Sequence, residues 1–446
     1  MNKDLIVGNG VVITLGEDNK IEKKSAVLIR DGLIEAVGAD SEIRPGAPEA
    51  EYIDAGGKLI MPGFINAHHH LYSTFARGLA PHDPPPYTFV EILERMWWPL
   101  DKVLEEEDIY YSALIPLIDC VKKGATTIID HHESQGYQLG SLDQLARAAR
   151  EIGIRSSLCL GISDRYGKGE EGIEENVRFI EKVQSASPAE QKMLTGMFGI
   201  HAAFTVNDDT LDRAVAAADR LGVGFHIHVA EAASDEEDSV EKYGLRILER
   251  LNEKGALGPK SLAIHCVHIN DREMDILKET GTAAVHNPES NMNNAVGVAP
   301  VLEMMERGIQ VGLGTDAMTS NMCKEVQIAN LLQHLEKRDP RVAFVESCQL
   351  LLENNPKIAS RLFDQEVGVL KPGAAGDVIV IDYIPPTPLN EDNFLGHFLF
   401  GICETEVITT VVNGKVLMKD KELIGIDEEK IAARSRELAA KFLKRF

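Results

Sequence analysis

The sequence predicts an α/β protein: a (β/α)8 TIM barrel with a small β-sandwich domain formed from both chain ends. Three observations lead there. Eight short apolar runs alternate with helical segments between residues 61 and 364. Several of the intervening helices end at glycine. Strand-and-turn patterning fills residues 1–60 and 365–425.

Residues 1–60 supply the first part of the β domain. DLIVGNGVVITL, SAVLIRDGLIEAVG and AGGKLIMPG read as strands, with Asp31-Gly32 at a hairpin turn, and no helix is expected among them. The barrel, residues 61–364, rests on the runs LIMPGFINAHHH, GATTIIDHHE, IRSSLCLG, MFGIHAAF, GVGFHIHVAE, SLAIHCVHI, GTAAVHNPESN and IQVGLGTDA. Eight parallel strands are the number that closes such a barrel. Segments 142–153, 210–222 and 272–281 are amphipathic and each ends in Gly, where a left-handed cap is wanted. An open doubly wound sheet would usually carry a Gly-rich phosphate loop after its first strand, and the sequence has none. Residues 365–425 return to strands, with Asn413-Gly414 at a second hairpin, and complete the β domain. Residues 426–446 read as a capped amphipathic helix on the surface.

With 44% hydrophobic and 26% charged residues and no low-complexity tract, the composition is that of a soluble globular protein rather than a disordered one. Lys+Arg 46 against Asp+Glu 70 leaves a formal charge of −24 and no basic run, so nucleic acid and anionic membranes are poor partners. The six cysteines are scattered without a Cys-x-x-Cys pair, the pattern of free thiols in a reducing cytoplasm. No secretion signal is recognisable, and no apolar run approaches the roughly 18 residues that span a bilayer. The expected location is cytoplasmic, and the expected partners are a small-molecule substrate and a second copy in a homodimer.

Eleven of the fourteen histidines fall in or just after the eight runs. In a barrel the strand ends line one mouth, where polar side chains meet the ligand. MPGFINAHHHL at 61–71 places His68 and His70 two residues apart at such an end, on one face of the strand. His-x-His alone is a weak motif. It is answered by His228 and Glu231 in FHIHVAE and by Asp316 in GLGTDA. Three imidazoles and a carboxylate suit one divalent metal ion, zinc first and iron or manganese next, and leave positions open for water. Water on such an ion ionises near neutral pH, which provides hydroxide for attack. No His-Glu-x-x-His helix and no Gly-x-Ser-x-Gly elbow offers a competing chemistry.

The neighbouring residues have plainer readings. His69 has the opposite strand parity to His68 and His70 and reads as a structural hydrogen-bonding residue. His226 reads as a satisfied buried histidine and His268 as structural, while His131 and His132 divide equally between support of the site and substrate contact. Arg77 is a candidate for a substrate carboxylate or carbonyl, with a salt bridge as the alternative. Trp97 and Trp98 are candidates for the pocket wall, with core or subunit-interface packing as the alternative.

The motifs PGFINAHHHL with ARGLA, GATTIID, GIHAAFTV, HIHVAE, AIHCVHI, HNPESNM, GLGTDA and GVLKPGAAGDVIVID follow one another along essentially the whole chain. Together they resemble the amidohydrolase superfamily, in its cytosine deaminase, guanine deaminase and triazine chlorohydrolase branch. LYSTFARGLA, Trp97-Trp98 and HNPESNMNNAVG look most like the SsnA-type aminohydrolases. The resemblance implies His68, His70, His228 and Asp316 as metal ligands, with Glu231, His265 and Asp316 catalytic beside the metal-bound water. It also implies His201 as a substrate contact. MFGIHAAF lacks the lysine that binuclear relatives carboxylate, so one ion is expected.

The activity implied is that of a metal-dependent deaminase acting on a C–N bond of a nitrogen heterocycle such as a purine, pyrimidine or imidazole. The alternative on the same scaffold is a chlorohydrolase or cyclic-amide hydrolase. A non-catalytic binding protein on a decayed barrel is disfavoured, because every ligand and acid/base position is filled. NPESNMNNAVG departs from the NPxSNxKLxxG of many relatives, which sets aside any substrate inferred through that lysine.

Overall fold

The computed structural model describes residues 4–79 and 84–446. Two parallel sheets carry its centre. One has four strands, Phe64–His69, Ala125–His132, Arg155–Leu160 and Leu194–Gly196. The other has five, Phe198–Ala202, Phe225–Val229, Leu262–His265, Ala283–His286 and Val311–Leu313. Neighbours in each sheet are consecutive in sequence and parallel, which requires crossovers between them. Helices supply these: Ser141–Ile152, Asp208–Leu221 and Asp271–Thr280 occupy the three predicted segments and stop at Gly153, Gly222 and Gly281, all left-handed.

The fourth predicted run, MFGIHAAF, forms the strand Phe198–Ala202, and a short unpredicted strand precedes it. Leu194–Gly196 pairs with Arg155–Leu160, whereas Phe198–Ala202 pairs with Phe225–Val229. Between them Met197 still donates its N–H to the Leu158 carbonyl at 3.1 Å, and Phe198 donates to the Gly224 carbonyl at 2.9 Å. One residue thus hands the hydrogen bonding from the first sheet to the second. At the opposite edges the His68 carbonyl accepts from the N–H groups of Thr315 and Asp316 at 2.9 and 3.1 Å, and His69 forms a parallel bridge with Asp316. Ala67, Ile129 and Cys159 of the first sheet and Ile264 and Val285 of the second share one buried apolar cluster with Met197 and Ile358.

Strands from both chain ends meet in a nine-stranded sheet. Its seam is the antiparallel pair Leu59–Pro62 and Val378–Ile381, in register Ile60↔Val380. Both expected hairpin turns form, with positive φ at Asp31 and Gly32 and at Asn413 and Gly414, the geometry that favours these residue pairs. The expectation of no helix before residue 60 is corrected: Asp40–Gly46 is helical. Asp40 and Glu42 favour its positive end, and its Ile43 packs on Ile6, Ala26 and Leu28, a tertiary contact that seven residues of sequence do not announce. The terminal helix Glu428–Phe442 is capped by Asp427, whose carboxylate accepts from Lys430 N–H at 3.0 Å; it buries Ile431, Leu438 and Phe442, with the Phe442 ring 5.5 Å from that of Phe75. Among the described residues no helix is long and apolar enough to cross a membrane.

A buried ion pair ties the nine-stranded sheet to the first parallel sheet. The Arg155 guanidinium reaches both Asp377 oxygens at 3.0–3.2 Å, and Asp377 also accepts from the Asn413 N–H at 2.7 Å. Removing one partner strands the other charge without water. Asp377→Ala is therefore expected to cost about 3–5 kcal/mol in a denaturant titration while leaving metal content unchanged. A loss below about 1 kcal/mol would mean that the pair is worth no more than an exposed one.

Candidate active site

The predicted residues converge at the carboxyl ends of the parallel strands. His68 lies on Phe64–His69 and His70 just after it; His228 is on Phe225–Val229 with Glu231 two residues beyond; His265 ends Leu262–His265, and Asp316 follows Val311–Leu313. His265 (φ 72°) and Asp316 (φ 53°) are held in the left-handed region, which costs a non-glycine residue of order 1–3 kcal/mol. That strain turns both side chains inward at the strand ends.

Backbone carbonyls set the histidine tautomers. His70 Nδ1–H donates to the His131 carbonyl at 2.6 Å, and His228 Nδ1–H donates to the His201 carbonyl at 2.6 Å. The remaining Nε2 lone pairs of these two rings face each other at 3.2 Å. Asp316 Oδ1 stands 3.2 Å from His70 Nε2 and 4.0 Å from His68 Nε2, and His68 Nε2 has no hydrogen-bond partner among the described residues. Acceptors crowded together in a buried space repel unless a cation lies among them. The donor chemistry of three imidazoles and a carboxylate fits a borderline divalent ion.

Protonation is consistent with that fit. Burial, reinforced by the neighbouring histidines, holds His68 well below the ordinary imidazole value and brings His228 to about 3, so both are neutral, the form that binds metal. Burial opposes ionisation of Asp316; the Ser290 hydroxyl, which donates to Oδ2, favours the charged form, and a cation among the imidazoles would favour it further. Glu231 behaves oppositely: burial, then the charge of Asp316, pushes it up to about 8. Its Oε2 is 3.3 Å from His265 Nε2. A carboxyl with proton affinity near neutrality can both take and return a proton.

Other histidines support this cluster. His226 Nε2 meets His68 Nδ1 at 2.8 Å, fixing the ring that carries the unpartnered Nε2. His226→Leu is expected to weaken metal affinity by about 10–100-fold, measured by competition with a chelator; unchanged affinity would make the contact incidental. His131 bonds the Ile200 carbonyl through Nε2, His132 bonds Ser134, and His268 bonds the Val296 carbonyl. His69 contributes no atom to the ligand groupings of the described residues, although the residue lines the cavity.

That cavity, ≈520 Å³, opens over His70, His228, Glu231 and Asp316. Arg77, Trp97 and His201 all line it, with the Trp97 ring 6.3 Å from Tyr72 in an edge-to-face contact. Trp98 lines it too and carries the Arg165 guanidinium 4.9 Å from its ring. Sequence reading missed Asp101 and Glu133, cavity residues paired to Arg165 at 2.9 and 3.4 Å. Glu133 had a signal, since it directly follows the second strand's histidines; Asp101 sits in a helix and had none. Also missed were Ser290, whose hydroxyl donates to Asp316 Oδ2 at 2.6 Å, and Asn291, whose Oδ1 accepts from His265 Nδ1 at 2.8 Å.

The family model described as the amidohydrolase family matches residues 59–417. The chain belongs to the amidohydrolase family. This amidohydrolase is 32% identical over 448 residues to a 5'-deoxyadenosine deaminase of Methanosarcina mazei, covering 99% of each chain. It is also 32% identical to a 5-methylthioadenosine/S-adenosylhomocysteine deaminase of Syntrophomonas wolfei, over 98% of this chain and 99% of the relative. Among solved structures it resembles an adenosine deaminase from Xanthomonas campestris with bound zinc, with a TM-score of 0.86, 22% identity and 99% of each chain covered. Membership makes the chain a hydrolase acting on carbon–nitrogen bonds other than peptide bonds.

Proposed function

We propose that this amidohydrolase is a metal-dependent deaminase of an amino-substituted nitrogen heterocycle, with adenine-bearing nucleosides the first class to test. The observation that carries the reading is Glu231, a buried carboxyl of raised proton affinity 3.3 Å from His265, beside a cluster of acceptors at the floor of a cavity large enough for a nucleoside. The names of the relatives that match along the full chain support the adenine class.

His68, His70, His228 and Asp316 would hold the ion, and zinc suits their imidazole-rich set, with iron(II) and manganese(II) accepted by the same donors. A divalent ion bound there makes a neighbouring water acidic enough to ionise near neutral pH. Glu231 takes the proton of the attacking water on one carboxylate oxygen and passes it to the ring nitrogen adjoining the attacked carbon. His265 orients the oxygen that adds to that carbon. A second proton transfer, by Glu231 or Asp316, reaches the amino nitrogen; the C–N bond breaks, ammonia leaves, and the ring carbon becomes a carbonyl. Trp97, His201 and Arg77 would hold the ring and its substituents.

We also propose that residues 61–364 form one closed (β/α)8 barrel, that residues 1–60 and 365–425 form a β-sandwich, and that 426–446 is an appended helix. The hand-over at Met197, the bridge from His69 to Asp316 and the shared apolar cluster support closure. A cluster joining Leu5, Val7, Ile29, Ile60, Val378 and Val411 supports the sandwich. A homodimer would cover the exposed Leu331, Leu335 and Phe400.

The deciding experiment is an ammonia-release screen on protein of measured metal content, over adenine nucleosides, guanine, cytosine, aminoimidazoles and aminotriazines. Ammonia equal to the amino substrate consumed is expected from at least one class. Chloride or a ring-opened acid as product, or no product from metal-loaded protein, would overturn the reading.

A further inference from the structure

One helical turn grips three groups of the site at once. In Pro288–Asn293 and its C-cap Asn294, Ser290 holds Asp316 Oδ2, Asn291 holds His265 Nδ1, and Asn294 Nδ2 donates to Glu231 Oε1 at 3.0 Å. The third contact depends on the side chain of Asn294. In the pattern NPxSNxKLxxG the position of Asn294 is leucine, which has no donor, and the position of Asn293 is the missing lysine. Here the two asparagines form a relay: Asn293 Nδ2 donates to Asn294 Oδ1 at 3.1 Å, which orients the Asn294 amide with its NH2 toward Glu231. The backbone beneath is fixed too, since Asn294 N–H donates to the Ser290 carbonyl at 2.9 Å and Val296 N–H to the Asn291 carbonyl at 3.1 Å.

We propose that Asn294 is a positioning residue for Glu231, holding Oε1 so that Oε2 is the oxygen that carries the proton. An amide N–H needs a lone pair to bond, so Oε1 is occupied as an acceptor in both protonation states. Oε2, 3.3 Å from His265 Nε2, is left as the site of proton uptake and release. The assignment rests on the deaminase reading for its kinetic consequence, but not for its geometry. It also gives the asparagine pair a purpose: a carboxylate that cannot rotate presents the same oxygen to water and to the ring in successive steps.

The test compares Asn294→Leu, Asn294→Asp and Asn294→Gln in metal-loaded protein. Carbonyl-region infrared difference spectra, wild type minus Glu231→Gln, read the Glu231 titration directly. The midpoint is expected to rise in Asn294→Leu, to rise further in Asn294→Asp, and to return toward wild type in Asn294→Gln, which restores an amide donor. In parallel, kcat for Asn294→Leu should fall by about 10- to 100-fold, the factor carried by one hydrogen bond to a charged group, with KM and metal content little changed and the acid limb of the kcat profile displaced upward. A Glu231 titration that does not move in Asn294→Leu overturns the clamp, as does a moved titration with unaltered kcat and pH profile. Wild-type protein that releases no ammonia from any heterocycle removes the deaminase reading instead, and the infrared titration then decides whether Asn294 holds Glu231.

Discussion

Glu231→Gln is expected to lower kcat for ammonia release by about 10²–10⁴-fold while leaving metal content at wild-type stoichiometry, the range lost with a positioned general acid–base group. The substitution is conservative in shape. Glutamine Oε1 can still accept from Asn294 Nδ2, now at 3.0 Å from Glu231 Oε1, so the side chain keeps its place while losing the ability to take a proton. KM should change by less than about threefold if ring binding rests on the cavity walls, because a group that acts only in proton transfer contributes little to ground-state affinity. The pH dependence supplies a second, independent readout. Wild-type activity should fall on the acid side as Glu231 acquires the proton that it has to accept from water. Burial and the charge of Asp316 set that carboxyl near 8, and a divalent cation beside it moves the midpoint lower by favouring the charged form. In Glu231→Gln this limb should be absent from the residual rate. Activity within tenfold of wild type, or a variant that loses its metal, would show that Glu231 does not shuttle the proton.

The parts of this site that follow strand periodicity were legible in the sequence, and the parts that depend on loops meeting in space were not. His68, His70 and His228 sit at strand ends, where alternation and the apolar runs announce them, and Asp316 closes the last run. The tautomers could not be read, because they are set by carbonyls of His131 and His201 on neighbouring strands. Nor could the grip of Ser290, Asn291 and Asn294, whose partners lie 26 to 63 residues away. An Asn-rich stretch after a short helix reads locally as a C-cap and turn, and that is also what it is. The α/β character with parallel sheets was legible for the same reason as the histidines: apolar runs and capped helices are local. The short strand Leu194–Gly196 before the fourth run was not, since the change of hydrogen-bonding partner at Met197 leaves no mark on burial or period. His69 lies between these cases. Parity sets it apart from its two neighbours, yet it too lines the cavity, and the strand pairing shifts register between Asn66 and His69.

His70→Ala is expected to abolish both tight metal binding and turnover, because His70 Nε2 is the atom at which the cluster is closed, 3.2 Å from His228 Nε2 and 3.2 Å from Asp316 Oδ1. The stability signature separates loss of a ligand from general damage. In wild-type protein a strong chelator should abolish activity and lower the melting temperature, since an ion present at about 1,000 times its Kd stabilises the folded state by roughly 4 kcal/mol. Added zinc should restore both. In His70→Ala the chelator should leave the melting temperature unchanged, because there is no bound ion to withdraw. Metal-free wild type retains facing lone pairs and a buried carboxylate that nothing neutralises; the variant removes one of the repelling groups and opens space for water beside Asp316. The two metal-free proteins should therefore melt within a few degrees of each other, despite the cavity that alanine leaves, whereas the metal-loaded wild type should stand well above both. A His70→Ala protein that keeps one equivalent of ion through dialysis, or a wild type whose melting temperature and activity ignore the chelator, would mean that these acceptors are gathered for some purpose other than holding a metal.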